Sequence, residues 1–194
     1  MEDFADIAAQ VMYEIHGLDK SIGKKRYLET SGAPFHEQIE EIFPADKKNS
    51  QAVRDFEERK KITYFERPLF FDTCNTLNQL RNSGIKTVVA SNNFQELVDL
   101  FVEKTAMEFD LVLGFKPNFA KGEAHFAFIE SHFDSSRDSM LFVGDSLHDA
   151  ERSIACNVDF IGKTGTFTKA DFHNKFPGIL TIDNLSELLE IVQL

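Results

Sequence analysis

Three short stretches of the chain combine residue types that could act together on a phosphate. The first is Met140–Ser153, MLFVGDSLHDAERS, in which an apolar run enters Gly144-Asp145 and a second carboxylate, Asp149, follows four positions on. Carboxylates at the mouth of a buried strand are hard-oxygen donors, and Mg²⁺ is typically held by one or two of them, with waters and phosphate oxygens completing the shell. Gly-Asp-Ser is also an ordinary turn, and Asp149 would suit the first turn of a helix through the dipole alone. The second stretch is Lys121-Gly122, just ahead of EAHFAFIESHF. A lysine at a helix start opposes the dipole, yet there it can offer charge to a phosphoryl group. The third is Ser91-Asn92-Asn93, after IKTVVA. These are favoured N-cap residues, and a hydroxyl with free N–H groups at a helix start can also hold an anion.

The elements that must position these residues fall into two textures. Residues 1–66 read as successive helices: DFADIAAQVMYEIHG, SIGKKRYLETSG, PFHEQIEEIF and QAVRDFEERKKITYF, punctuated by Gly17, Gly32-Ala33-Pro34 and Phe43-Pro44. From residue 67 onward, short apolar strands alternate with amphipathic helices. A helix DTCNTLNQLRNSG, N-capped by Asp72 or Thr73, precedes strand IKTVVAS and helix FQELVDLFVEKTAM. Strand DLVLGF, helix EAHFAFIESHF, strand MLFVGD, helix HDAERSIAC, strands VDFIGK and ILTID, and helix SELLEIVQL complete the run. That alternation predicts a parallel sheet with helices on both faces. In such folds ligands collect beyond the carboxyl ends of the strands, where all three stretches fall.

A net charge of -11 argues against nucleic acid or an anionic membrane surface as partner. The two cysteines, Cys74 and Cys156, do not make a disulfide framework and fit a reducing compartment. MEDFADIAAQ lacks the basic and apolar regions of a signal peptide, and no apolar run reaches membrane-spanning length, so a cytoplasmic protein is expected. His148 reads as an exposed helix-start residue, and His125, His132 and Cys156 as packing residues. Gly162–Phe167 lacks full P-loop spacing and reads as a loop near the site at most. Lys20, Lys24, Lys25, Lys47 and Lys48 read as a solvated helix face.

With Ser91, Lys121 and GDSLHD in this order, the chain resembles the haloacid dehalogenase superfamily of hydrolases and phosphatases over nearly its whole length. The resemblance implies an α/β fold, a three-layer Rossmann-like parallel-sheet core over residues 67–194, with residues 1–66 as an N-terminal α-helical cap that selects substrate. It implies Mg²⁺-dependent hydrolysis of a small phosphomonoester, with a small phosphorylated metabolite as partner and self-association compatible. Ser91, Asn92 and Lys121 would bind phosphate. Asp145 and Asp149 would serve the metal, with Asp149 also orienting Lys121 for catalysis.

In that family an aspartate of an N-terminal Asp-x-Asp-Gly-Thr motif attacks phosphorus, and an aspartyl-phosphate forms. No counterpart precedes the first helix here. FFDTCNTL echoes the motif around Asp72, with Cys74 in place of the second aspartate, but Asp72 is nineteen residues from Ser91, and the stretch fits the return from cap to core. Asp72 is therefore expected to be a helix N-cap, with the role of substitute nucleophile as the minor reading. By the same resemblance the absent strand is the central one of the sheet. Losing about five or six buried apolar side chains, at about 1.5–3 kcal/mol each, removes on the order of 10 kcal/mol, comparable with a domain's net stability. Either the natural protein starts upstream, or a segment such as RPLFF or a strand from a second chain takes the place. Direct pairing of IKTVVA with MLFV would contradict this. The alternatives are an incomplete or inactive phosphatase, a non-catalytic phosphate- and Mg²⁺-binding pseudoenzyme, and a dehalogenase or phosphonatase-type relative.

Overall fold

A computed structural model describes residues 2–66 and 68–192. The chain divides into two compact units, Met1–Pro68 and Leu69–Leu194. Among the described residues no helix is long and apolar enough to cross a membrane.

The first unit consists of α1 (Glu2–His16), α2 (Lys20–Glu29), α3 (Phe35–Ile42) and α4 (Asn49–Tyr64). Alanines at positions 5, 8 and 9 keep one face of α1 thin, and α2 packs closely there. A Cβ on Gly23 would come within 3.3 Å of the Ala9 Cα. α1 ends at Gly17, whose φ of 74° is left-handed backbone that glycine adopts without penalty. The Asp19 carboxylate then accepts the N–H groups of Ser21 and Ile22 and starts α2. Ala5, Ala8, Val11, Met12, Tyr27, Phe35, Ile39, Ala52 and Phe56 form one contiguous core, with the Phe35 and Phe56 rings stacked 3.9 Å apart.

The second unit runs α5 (Thr73–Asn82), β1 (Val88–Phe94), α6 (Gln95–Thr105), β2 (Leu111–Phe115), α7 (Glu123–Phe133), β3 (Leu141–Gly144), α8 (Leu147–Ala155), β4 (Asp159–Lys163), α9 (Lys169–Lys175), β5 (Leu180–Ile182) and α10 (Leu188–Ile191). Every ladder is parallel, as the alternating pattern predicts. The five strands form two sheets, however: β1 with β2, and β3-β4-β5. β1 and β3, the runs IKTVVA and MLFV, do not pair with each other.

Of RPLFF, Arg67 lies outside the described residues, and the remainder does not fill the break. Pro68, Leu69 and Phe70 have no regular structure, and Phe71 is 88% exposed. Two further local features differ from the expectation. Ser91-Asn92-Asn93 remain in β1 and do not cap α6. α9 was not expected; it starts at a reciprocal cap in which the Thr168 hydroxyl and the Asp171 carboxylate each accept the other's backbone N–H. The apolar clusters of this unit are three small ones, centred on Phe126, Phe172 and Ile182.

Candidate functional site

Irregularity in β1 sets the first part of the site. Ala90 pairs with Leu113 and Phe94 with Phe115, so Ser91-Asn92-Asn93 bulge opposite the single residue Gly114. Bulges re-aim side chains at sheet ends. Here the Ser91 hydroxyl accepts the Asn93 N–H at 3.1 Å, and the Asn92 Oδ1 accepts the Lys121 N–H at 3.0 Å. Gly114 also lets α6 come in tightly, because a Cβ there would lie 2.4 Å from the Gln95 Cα.

Lys121 immediately precedes Gly122, the N-cap residue of α7. Its ammonium lies 2.5 Å from Asp149 Oδ1, and the two side chains are only 12% and 4% exposed. Breaking a pair this buried leaves an uncompensated charge, which costs several kcal/mol, so the partners hold each other in place. One turn along α7, His125 is fully buried, with Nε2 3.2 Å from the Gly114 carbonyl. Burial above all, with a smaller push from the nearby Lys121 ammonium and against the opposing pull of that carbonyl, brings its pKa down to about 4, so the ring is neutral at pH 7.

Asp149 is placed by α8. The Ser146 hydroxyl accepts the Asp149 N–H at 3.1 Å as N-cap, and the carboxylate folds back over the end of β3. A Cβ on Gly144 would stand 2.6 Å from the Asp149 Cβ and 2.8 Å from its Oδ2, so the space above Gly144 belongs to that side chain. Asp145 is half-buried, and its Oδ2 accepts the Thr166 hydroxyl at 3.0 Å.

The structure thus links Asn92, Lys121 and Asp149 directly, and Asp145 follows Gly144, the last residue of β3. Ser91 is adjacent in the bulge. Asp145 offers a hard-oxygen donor suited to Mg²⁺, whereas Asp149 is committed to Lys121. Among the described residues no three His, Cys, Asp or Glu side chains converge, so protein donors to a metal here would be few, as Mg²⁺ accepts. Asp72 stands just ahead of α5. It occupies the N-cap position of α5, but its side chain makes no capping bond; Oδ2 instead accepts the Ser186 N–H at 2.9 Å, in the 3-10 turn after β5. His148 pairs with Glu151 at 2.9 Å, His132 stacks on Phe128, and Cys156 is buried beside Val158.

Two residues near the site carried little signal in the sequence. Thr166 reaches Asp145 across the loop after β4. Lys163, at the end of β4, is 9% exposed, donates to the Thr164 carbonyl at 2.7 Å and lies over the Phe70 ring at 4.6 Å. The sequence marked both only as members of Gly162–Phe167, read as a loop near the site at most; Gly162 stands opposite Gly144 in the ladder.

No match was found among functionally curated proteins. Solved structures are similar across nearly the whole chain. A haloacid dehalogenase-like family hydrolase from Streptococcus pneumoniae has a TM-score of 0.79 at 17% identity, covering 99% of this chain and 92% of its own. A predicted phosphatase from Clostridium acetobutylicum has 0.78 at 20%, covering 99% and 93%. CbbY from Rhodobacter sphaeroides, solved in complex with phosphate, has 0.72 at 18%, covering 96% and 89%. At these identities the likeness establishes the fold. The model of the haloacid dehalogenase-like hydrolases matches residues 3–163, most of the chain and every residue of the Asn92–Lys121–Asp149 line, and the chain belongs to that family.

Proposed function

We propose that the carboxyl end of this parallel fold binds the phosphoryl group of a small phosphomonoester together with Mg²⁺, as the binding half of a phosphatase site. The buried Lys121–Asp149 pair, tied to Asn92, is the observation that supports this most directly. An ammonium held by a buried carboxylate in a nearly dry setting is preorganised for anionic oxygens that arrive between it and the β1 bulge. Ser91 offers a hydroxyl to the same group, Asp149 keeps Lys121 oriented, and Asp145 would hold the metal. Mg²⁺, when bound, supplies charge that neutralises phosphoryl oxygens.

Turnover through an aspartyl-phosphate needs a carboxylate free to reach phosphorus. Asp149 is engaged with Lys121, and Asp145 is the metal donor. Asp72 is 7% exposed and bonded to Ser186. Residues 1–194 on their own therefore bind phosphate and do not release it from an ester. The same distribution of carboxylates supports the second reading, a non-catalytic phosphate- and Mg²⁺-binding relative. Calorimetry with inorganic phosphate and Mg²⁺ should show binding that disappears in Lys121→Met. Aryl phosphate hydrolysis should stay at the buffer rate in both the chain and Asp145→Asn. Hydrolysis that Asp145→Asn abolishes would show a nucleophile within these residues, and Asp72→Asn would then identify or dismiss Asp72.

A further inference from the structure

The loop that leaves β4, residues 164–167, is held at both ends. The Thr164 N–H donates to the Ile182 carbonyl at 2.9 Å, and the Thr164 hydroxyl donates to the Asp183 carboxylate. Gly165 then turns the chain at a φ of 139°, where a side chain would be strained, and its N–H donates to the Phe167 carbonyl at 3.1 Å. The Phe167 ring meets Phe172 edge-on, 6.3 Å between centroids, and joins the cluster around it. These anchors present Thr166 to Asp145, whose Oδ2 accepts its hydroxyl at 3.0 Å. None of them uses that hydroxyl, so the loop does not need the Thr166–Asp145 bond to keep its shape.

The two oxygens of Asp145 are thereby unequal. Oδ2 holds Thr166, and among the described residues no other donor reaches the carboxylate. Asp110 shows the opposite case: its two oxygens take the Lys86 ammonium and both the N–H and the hydroxyl of Thr87, which leaves no place for an ion. A half-buried carboxylate with one oxygen fixed and the other free is a one-oxygen donor. Mg²⁺ demands a compact, near-octahedral shell and is served by such donors, whereas the larger Ca²⁺ has a looser shell and also takes both oxygens of a carboxylate.

We propose that Thr166 is the positioning residue for Asp145: by holding Oδ2 it fixes the carboxylate and presents Oδ1 alone to a divalent cation, which favours Mg²⁺ over Ca²⁺. The inference rests on the reading of Asp145 as the metal donor and adds what sets the cation preference there. Hydrogen-bond partners of ligating carboxylates orient them, and losing one typically lowers metal affinity about 10–100-fold. Without the hydroxyl, Asp145 is free to turn both oxygens toward an ion, which compensates Ca²⁺ and does not compensate Mg²⁺.

The test is a titration of the full 1–194 chain with Mg²⁺ and, separately, with Ca²⁺, followed through the amide signals of Ser146 and Gly162. Thr166→Val keeps the shape of the side chain and removes the hydroxyl; Thr166→Ser keeps the hydroxyl. In Thr166→Val the Mg²⁺ affinity should fall about tenfold or more and the Ca²⁺ affinity clearly less, so that the preference for Mg²⁺ narrows. Thr166→Ser should behave as the unaltered chain. Asp145→Asn, titrated beside them, separates this inference from the reading beneath it. Loss of Mg²⁺ binding in Asp145→Asn with both affinities unchanged in Thr166→Val would overturn the role of Thr166 and leave Asp145 as the donor. Equal losses for the two cations, or a Thr166→Ser chain as weak as Thr166→Val, would also overturn it, because Thr166 would then act through packing. Mg²⁺ binding that survives Asp145→Asn, or none by the unaltered chain, would overturn the metal reading and the inference with it.

Discussion

The helical unit and the α/β unit bury their apolar side chains in different ways. The four helices close on one cluster in which Ala5, Ala8, Val11, Met12, Ile39 and Ala52 have no exposure at all. Among the described residues of the longer unit three small clusters lie around β3, β4 and β5, and β1 and β2 contribute to none of these. The helical unit completes its core with its own residues. The α/β unit has its strands and helices in place, yet its strands form two separate sheets. Local sequence pattern is therefore enough to form each element, while core continuity depends on how the strands join.

Removing a fully enclosed ring should hurt most. Phe56→Ala in the helical unit should cost about 3–5 kcal/mol, whereas Phe142→Ala in β3 should cost distinctly less because that ring is only half-buried. Urea unfolding of the two variants measures the difference, and equal losses would break the contrast. Acid should act next, and on the α/β unit. His125 titrates near pH 6.5 when unfolded and near 4 when folded, so the unfolded chain takes up a proton first as pH falls. That contribution is complete above pH 6.5, declines toward pH 4 and totals roughly 3 kcal/mol. His125→Gln should flatten the stability profile across that window. The smallest effect concerns a link within the α/β unit. Asp72→Ala strands the Ser186 N–H and should cost about 1.5–3 kcal/mol by chemical denaturation, with amides of the 3-10 turn after β5 losing protection before those of α1.

Much of this was legible in the sequence because period and punctuation are local. The alanine-rich face of α1, Gly17 and the apolar runs of β3 and β4 declare their elements directly. Lys121, Asp145 and Asp149 could be picked out because each follows a strand, and in parallel folds those positions share one end. What escaped depends on partners distant in sequence. Ser91-Asn92-Asn93 have N-cap chemistry, but pairing of Phe94 with Phe115 draws them into a bulged strand. Asp72 has the residue type and place of an N-cap, yet its carboxylate turns to Ser186, which no local pattern indicates. The Thr168–Asp171 cap was readable locally and was obscured by the phosphate-friendly composition of the loop before it.

Gly144 has a consequence for how this family would look to an observer of many sequences. The atom nearest its missing side chain is the Asp149 Cβ, which every residue except glycine possesses. Shrinking Asp149 to alanine thus leaves the obstruction in place, and only glycine at 149 would remove it. In a saturation library selected for folding, position 144 should return a single letter wherever 149 carries a side chain. Two residues in such close contact would then show almost no correlated change, and methods that find contacts through covariation would pass over this pair.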